Sequence, residues 1–123
     1  MASIPGRLEL RGLRCSGSLG DPPVDAVLLV DVSVGLDLSA VAESDAYADT
    51  LDLADLAQTV RIAVATPRLL LETAAVSAAR AVMQRYLSAR EVEVRLCKPE
   101  PAGLQAAEEA ISVRLAREVM DLR

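Results

Sequence analysis

The sequence predicts an α+β domain in which a four-stranded antiparallel sheet carries two helices on one face. Three observations lead to this class. Two alternating segments come early, the second of them with strict alternation, two helical segments follow, and two further alternating segments come after them. The order is therefore ββααββ, and each layer buries the apolar face of the other. Such a sheet has two exposed edges, which commonly pair with other subunits.

The first two strands form the early part of the predicted sheet. Residues 7–14 are predicted as a strand because Leu8 and Leu10 alternate with charged neighbours, and glycines and prolines over residues 17–23 predict a turn or loop. Residues 26–38 give the clearest pattern in the chain. Their valines and leucines fall on one face and their polar residues on the other, which is typical of an antiparallel strand with one solvated face.

The first helix is predicted over residues 53–65, where apolar residues recur at helical spacing and Asp52 is placed to cap the helix. The acidic segment before it, residues 39–50, is predicted to form a loop. Four aspartates of this region could resemble a metal-binding cluster: Asp45, Asp49, Asp52 and Asp55. We interpret them instead as solvated loop residues and helix caps.

The second helix is predicted to begin at Thr66 and Pro67 and to run to about Leu87. Threonine is a good N-cap, and proline is tolerated in a first helical turn. The many alanines make this helix slender, so it can pack closely on a sheet. The third strand is predicted over residues 90–98 and the fourth over residues 109–117, with a loop between them.

Composition indicates one small domain that buries apolar surface against other subunits. We interpret the chain of 123 residues as a single domain with its core over about residues 7–117. Hydrophobic residues make up 52%, with only two aromatic side chains, so the core must be aliphatic. The mean hydropathy of +0.30 is high for a small monomer. No apolar run reaches the roughly 20 residues of a membrane span, and the net charge of −5 argues against nucleic acid.

The chain contains no histidine, which excludes Ser-His-Asp and Cys-His triads in their usual form and removes the commonest zinc ligand. The two cysteines, Cys15 and Cys97, have no metal-type spacing. We interpret both as reduced thiols of a cytoplasmic protein, because the first residues show no signal-peptide pattern. A disulfide between them stays open as the alternative.

Lys98 stands where the third strand calls for an apolar residue. Val92, Val94 and Leu96 alternate along this strand, and Lys98 continues the same face. A partly desolvated lysine can exchange protons near neutral pH, so Lys98 is a candidate proton-transfer group. The alternative is a lysine at the strand end that snorkels to water.

Glu72 lies inside an apolar helical stretch, residues 69–74. A carboxylate at this position could hold a polar ligand, so Glu72 and Lys98 together would make a small-molecule site. The alternative is an exposed helix residue that pairs with Arg68, four positions earlier.

Several short segments follow one another along this chain in a specific order and spacing. They are Leu10–Leu13 before a glycine-rich loop, Val30–Val32 with Leu36–Leu38, Ser44–Asp45, Asp49–Thr50, Leu71–Ala74 and Lys98–Pro99. Together, from about residue 7 to residue 117, they resemble the dihydroneopterin aldolase family of folate biosynthesis.

The resemblance implies a subunit of the tunnelling fold. In that family four subunits join their sheets edge to edge into a ring, two rings commonly stack into an octamer, and the active sites lie between neighbouring subunits. The family enzyme splits 7,8-dihydroneopterin into 6-hydroxymethyl-7,8-dihydropterin and glycolaldehyde by a retro-aldol step. It uses no metal, Schiff base or other cofactor. The pterin ring takes up the electrons, so the protein mainly moves protons.

Four positions of one subunit would carry the site if the resemblance holds. Glu72 matches the glutamate that binds the amidine edge of the pterin. Leu71 and Thr73 flank Glu72, and a backbone group there could add a contact. Lys98 matches the lysine assigned to proton transfer.

Other site positions match only in part. Thr50 and Leu51 match the segment that reaches in from the adjacent subunit. The family tyrosine that works in protonation is replaced here by Leu53, and Tyr47 is the only tyrosine nearby. The catalytic glutamate of the glycine-rich loop falls at Asp25, which is one methylene shorter.

Three functions remain open. Losing the tyrosine favours a diverged enzyme, which would be a carbon–carbon lyase or a related condensing enzyme on a pterin-like or other small heterocyclic or aldehyde substrate. The alternatives are a true dihydroneopterin aldolase and a non-catalytic binding protein that keeps the ring. In each case the expected partners are a small molecule and other copies of the chain, in a tetramer or octamer, without nucleic acid or membrane.

Overall fold

Four antiparallel strands form one sheet in the computed structural model, which describes residues 2–117. The strands, in their order across the sheet, are β1 (Pro5–Leu19), β2 (Val24–Asp37), β3 (Glu91–Pro99) and β4 (Glu108–Ala116). The helices of these residues are α1 (Ser39–Ser44), α2 (Leu53–Ala65) and α3 (Leu71–Arg85), and a 3-10 turn lies at Tyr47–Asp49. None of them is both long enough and apolar enough to cross a membrane. Since α2 and α3 pack on one face of the sheet, the predicted α+β class is confirmed.

The inner face of the sheet, which α2 and α3 cover, is aliphatic because apolar residues alternate along each strand. On β2 the side chains of Val30, Val32 and Val34 are fully buried. Burying each such side chain stabilises the fold by about 1.5–3 kcal/mol. The side of α3 that faces the sheet carries fully buried alanines: Ala74, Ala75, Ala78 and Ala79. Their small size lets α3 lie close to β3 and β4.

The outer face of the sheet carries charged side chains that pair across strands. Arg114 on β4 donates to Glu91 on β3 at 2.7 Å, and Arg7 on β1 donates to the same carboxylate at 2.8 Å. These hydrogen bonds hold the pKa of Glu91 below its usual value. Because the pairs are partly exposed, they add little to stability, and they mark this face as the solvated one.

β1 is longer than predicted, since it continues to Leu19 where a loop was expected from residue 17. Gly17 serves packing and not a turn, because a Cβ atom there would lie 2.6 Å from Leu28 Cδ1. The turn is confined to residues 20–23. Near the middle of β1 a bulge shifts the register with β2, at Gly12, whose φ of 66° suits glycine.

The prediction of a loop over residues 39–50 is wrong, because this segment contains α1 and the 3-10 turn. Asp37 Oδ1 accepts a hydrogen bond from the Ser39 backbone N–H at 3.0 Å, where α1 begins. Asp45 ends α1 in the left-handed region, with φ of 50°, and its N–H donates to Val41 O at 2.8 Å. Short-range hydrogen bonds of acidic residues thus build structure that shows no apolar periodicity.

The predicted start of the second helix at residues 66–67 is also wrong, because α3 begins at Leu71. Arg68 instead forms a backbone bridge with the end of β1. Its N–H donates to Ser18 O at 2.9 Å, and its carbonyl accepts from Gly20 N–H at 3.0 Å. This tertiary pairing outweighs the local helix-start signal and keeps the segment before α3 extended.

The aspartates before and within α2 have separate structural roles. Asp49 accepts a hydrogen bond from Ser44 Oγ at 2.5 Å. The predicted cap at Asp52 is confirmed, because its Oδ1 accepts from the backbone N–H groups of Ala54 at 2.9 Å and Asp55 at 3.2 Å.

Asp55 ties the start of α2 to the end of α3. Its carboxylate accepts two hydrogen bonds from Arg85, at 2.9 and 3.1 Å, and one from the Tyr86 hydroxyl at 2.5 Å. The pKa of Tyr86 is raised to about 12. Burial of the phenol is the larger cause, and its hydrogen bond to Asp55 is the second.

We expect the free energy of unfolding to fall as pH rises from about 10, the ordinary tyrosine pKa, to about 12. The folded state holds the Tyr86 proton more tightly, so the unfolded state ionises first. Urea midpoints measured across this range test the prediction. Tyr86→Phe should flatten the pH dependence, whereas Tyr47→Phe, which removes an exposed phenol, should not. An equally steep profile in Tyr86→Phe would contradict the assignment.

Candidate functional site

Lys98 lies at the end of β3 on the inner face, as the alternation of this strand predicts. Val92, Val94 and Leu96 on the same face are fully buried, while Lys98 is half-buried. It is the only lysine among the 13 basic residues, and the others are arginines. Because a guanidinium does not lose its proton in proteins, Lys98 is the one basic side chain of this chain that can act as a base.

Glu72 lies in the first turn of α3 with an exposed side chain. The alternative pairing with Arg68 is wrong, because Arg68 is outside the helix and its guanidinium donates to Ser77 Oγ at 2.8 Å. Over residues 2–117, neither Glu72 nor Lys98 takes part in an ion pair. The carboxylate is therefore free to bind a ligand.

The sheet register brings Glu72 and Lys98 to the same end of the domain. β1 and β3 end there, and β2 and β4 begin there. The bridge from Arg68 to β1 brings the start of α3 to this end as well. Since α3 covers the inner face, both side chains also lie on one side of the sheet. We call this region, with Glu72 and Lys98, the Lys98 end.

The neighbours of Glu72 differ in what they can offer a ligand. Leu71 is 6% exposed and its side chain belongs to the core, so only its backbone can reach a ligand. Thr73 is exposed, so its hydroxyl is accessible to a ligand. Leu69 and Leu70, which precede α3, are also exposed, so the chain presents apolar side chains just before Glu72.

Asp25 lies at the Lys98 end but on the other side of the sheet. It pairs with Ser18 across the β1–β2 ladder, and alternation along β2 puts it on the outer face. It lines a depression of about 340 Å³ with Ser16 and Ser18, and this depression extends to Ala65 at the end of α2. A single chain therefore does not bring Asp25 onto the face of Glu72 and Lys98.

Thr50, Leu51 and Leu53 lie at the opposite end of the domain, where α2 begins. With Leu8 they line an open depression of about 770 Å³. Leu51 is buried, whereas Thr50 and Leu53 are exposed. We call this region the Leu53 end. The thirteen residues of α2 separate it from the Lys98 end by about 20 Å, so one chain does not unite all the predicted site residues.

Two further residues at these ends were not selected from the sequence. Glu109 on β4 stands directly opposite Lys98 on β3, so both side chains leave the sheet on the same face. Only the strand register reveals this neighbour. Tyr47 lines the depression of the Leu53 end and is 97% exposed. Its proximity in sequence to Leu53 was the one available signal.

Cys97, which precedes Lys98, belongs to the outer face. Its thiol donates to Glu108 Oε2 at 3.1 Å, and burial raises the pKa of Cys97. The thiol is therefore held protonated, away from the side of the sheet that carries Lys98.

Comparisons of sequence and of structure with known proteins point to the same family. Residues 8–116 match the protein family described as FolB, dihydroneopterin aldolase. The Arabidopsis thaliana protein named "Probable dihydroneopterin aldolase 3" is 31% identical over 123 residues, which cover 95% of this chain and 77% of that relative. Dihydroneopterin aldolase 1 of the same plant is 27% identical over 122 residues, which cover 95% of this chain and 84% of the relative.

A solved structure shares both the fold and part of the sequence. The crystal structure of E. coli dihydroneopterin aldolase in complex with neopterin aligns with a TM-score of 0.80 and 26% identity. The alignment covers 90% of this chain and 99% of the E. coli chain.

Proposed function

This chain belongs to the dihydroneopterin aldolase family, and we propose that it is a carbon–carbon lyase acting on a pterin-like substrate. The first candidate substrate is 7,8-dihydroneopterin, which would be split into 6-hydroxymethyl-7,8-dihydropterin and glycolaldehyde. The observation that carries this proposal is the presence of Glu72 and Lys98 on one side and at one end of the sheet.

Glu72 is proposed to bind the pterin ring. Its two carboxylate oxygens can accept two parallel N–H bonds, which matches the amidine edge of the ring. The exposed position of Glu72, and its freedom from ion pairs over the described residues, leave both oxygens available. The backbone at Leu71 and the hydroxyl of Thr73 are proposed to add polar contacts beside it.

Lys98 is proposed to act as the base. A retro-aldol step begins when a base removes the proton of the side-chain hydroxyl whose carbon becomes the aldehyde. The carbon–carbon bond then breaks, and its electron pair moves toward the ring. Lys98 is half-buried at the end of β3, and Glu109 stands directly opposite it on β4.

We propose that a second copy of the chain completes the site, as part of a ring-shaped tetramer or octamer. In this arrangement Thr50, Leu51 and Leu53 of one copy lie over Glu72 and Lys98 of another. The separation of the two ends by about 20 Å within one chain supports this proposal. The exposed leucines at both ends support it as well, because an interface would bury them.

Asp25 is proposed as a secondary acid–base group. Its position on the outer face means that its carboxylate would reach the substrate only around the end of the sheet. Asp25→Asn is therefore expected to lower turnover less than a change at Lys98.

Turnover of 7,8-dihydroneopterin, followed by glycolaldehyde release, is the first test. Lys98→Ala should lower kcat by about 10²–10⁴-fold, because a positioned base is lost. Lys98→Arg should be equally impaired, since it keeps the charge but cannot lose the proton. Glu72→Gln should mainly raise KM and weaken pterin binding.

Glu43→Gln serves as the matched control, because it removes an exposed helical carboxylate from α1 and should leave turnover unchanged. Full activity in Lys98→Arg would contradict the base assignment. Pterin binding that depends on Glu72 without any turnover would instead indicate a binding protein.

Mixing two inactive variants tests the shared site. Lys98→Ala disables one end and Leu53→Glu, which puts a carboxylate into the apolar depression of the other end, disables the second. Oligomers assembled from equal amounts should regain roughly a quarter of the parent activity, since that share of sites combines two intact ends. Each variant alone is the control. A monomeric parent protein in light scattering, or no recovery in verified mixed oligomers, would rule out the shared site.

A further inference from the structure

Tyr47 is unusually exposed for a large aromatic side chain. It lies in the 3-10 turn before α2 and is 97% exposed. Its hydroxyl donates no hydrogen bond to any group of residues 2–117. The other tyrosine, Tyr86, is half-buried and bonded to Asp55. The hydroxyl of Tyr86 thus has a structural role, whereas that of Tyr47 has none within the described residues.

The backbone of Tyr47 is fixed even though its ring is exposed. The Tyr47 carbonyl accepts a hydrogen bond from the Thr50 N–H at 3.3 Å, and Asp49 N–H donates to Ala46 O at 3.0 Å. These bonds close the turn that directly precedes α2. Tyr47 and Leu53 line the same depression of about 770 Å³.

Few groups in this depression can donate a proton. Its polar side chains are those of Tyr47, Thr50 and Asp52. Asp52 is occupied, because its carboxylate caps α2 through two backbone N–H groups. A threonine hydroxyl is a far weaker acid than a phenol, and tyrosine is an established general acid. Tyr47 is therefore the group of this depression best suited to protonate a carbanion.

We propose that Tyr47 is a catalytic residue that protonates the ring-side carbon after bond cleavage, from the copy that covers the Lys98 end. This inference rests on the proposed function. Lys98 as the free amine takes the hydroxyl proton, glycolaldehyde leaves, and the electron pair stays with the carbon attached to the ring. The Tyr47 hydroxyl gives its proton to that carbon. The resulting phenolate regains a proton from the Lys98 ammonium through solvent, which restores both groups.

The assignment predicts that cleavage and protonation can be separated. In a single turnover of 7,8-dihydroneopterin, Tyr47→Phe should release glycolaldehyde at nearly the parent rate. The protonated pterin product should form about 10²-fold or more slowly, and steady-state kcat should fall accordingly with little change in KM. A residue that only supports the fold would impair both products equally.

Two matched variants accompany this experiment. Tyr86→Phe removes the structural phenol and should leave kcat at neutral pH unchanged. Leu53→Tyr, added to Tyr47→Phe, returns a phenol to the same depression from the first turn of α2 and should restore formation of the pterin product. Light scattering verifies that each variant keeps the parent assembly.

The outcomes separate this inference from the function on which it rests. Parent turnover in Tyr47→Phe, or equal loss of both products, overturns the role of Tyr47 and leaves the lyase proposal standing. A parent protein that does not turn over 7,8-dihydroneopterin overturns both. Delayed pterin product with prompt glycolaldehyde, reversed by Leu53→Tyr, establishes Tyr47 as the proton donor.

Discussion

The backbone bridge between Arg68 and the end of β1 is the contact on which the placement of the site depends. Its two hydrogen bonds, at 2.9 and 3.0 Å, keep the segment before α3 extended and fasten it to the sheet. The start of α3 is thereby held at the end of the domain where β3 also ends. Without this bridge a helix starting at residue 66 would begin five residues before Leu71, and Glu72 would no longer lie in its first turn.

The length of α2 sets the second constraint. A helix of thirteen residues lies along β1, so groups at its two ends are separated by about 20 Å and cannot meet in one chain. The aliphatic core, built largely from valine, leucine and alanine, is complete within the single chain. The exposed leucines gather at the ends instead, where a second copy would cover them. The apolar residues thus fall into two groups. The buried ones form the core, and the exposed leucines at the two ends are available for the proposed interface.

The distribution of basic residues supports the proposed chemistry. Arginines supply the charged pairs of the outer face, where a permanent charge and several hydrogen-bond donors are useful. The single lysine stands at the border of the buried inner face, where a group able to lose its proton is useful. Leu53 makes the start of α2 apolar, and Tyr47, on the neighbouring turn, is the one tyrosine among the residues that line this depression.

Local patterns determined much of this fold. The apolar period and the Asp52 cap predict α2 over the residues it occupies, and alternation along β2 and β3 predicts both the core and the face of Lys98. The tertiary structure alone decided the full length of β1, the start of α3 at Leu71, the neighbour Glu109 and the separation of the two ends. Periodicity and capping act between residues a few positions apart, so one sequence displays them. Strand pairing, bridges and close packing join residues distant in the chain, and their energies overrode the local signals at Gly17 and at residues 66–67.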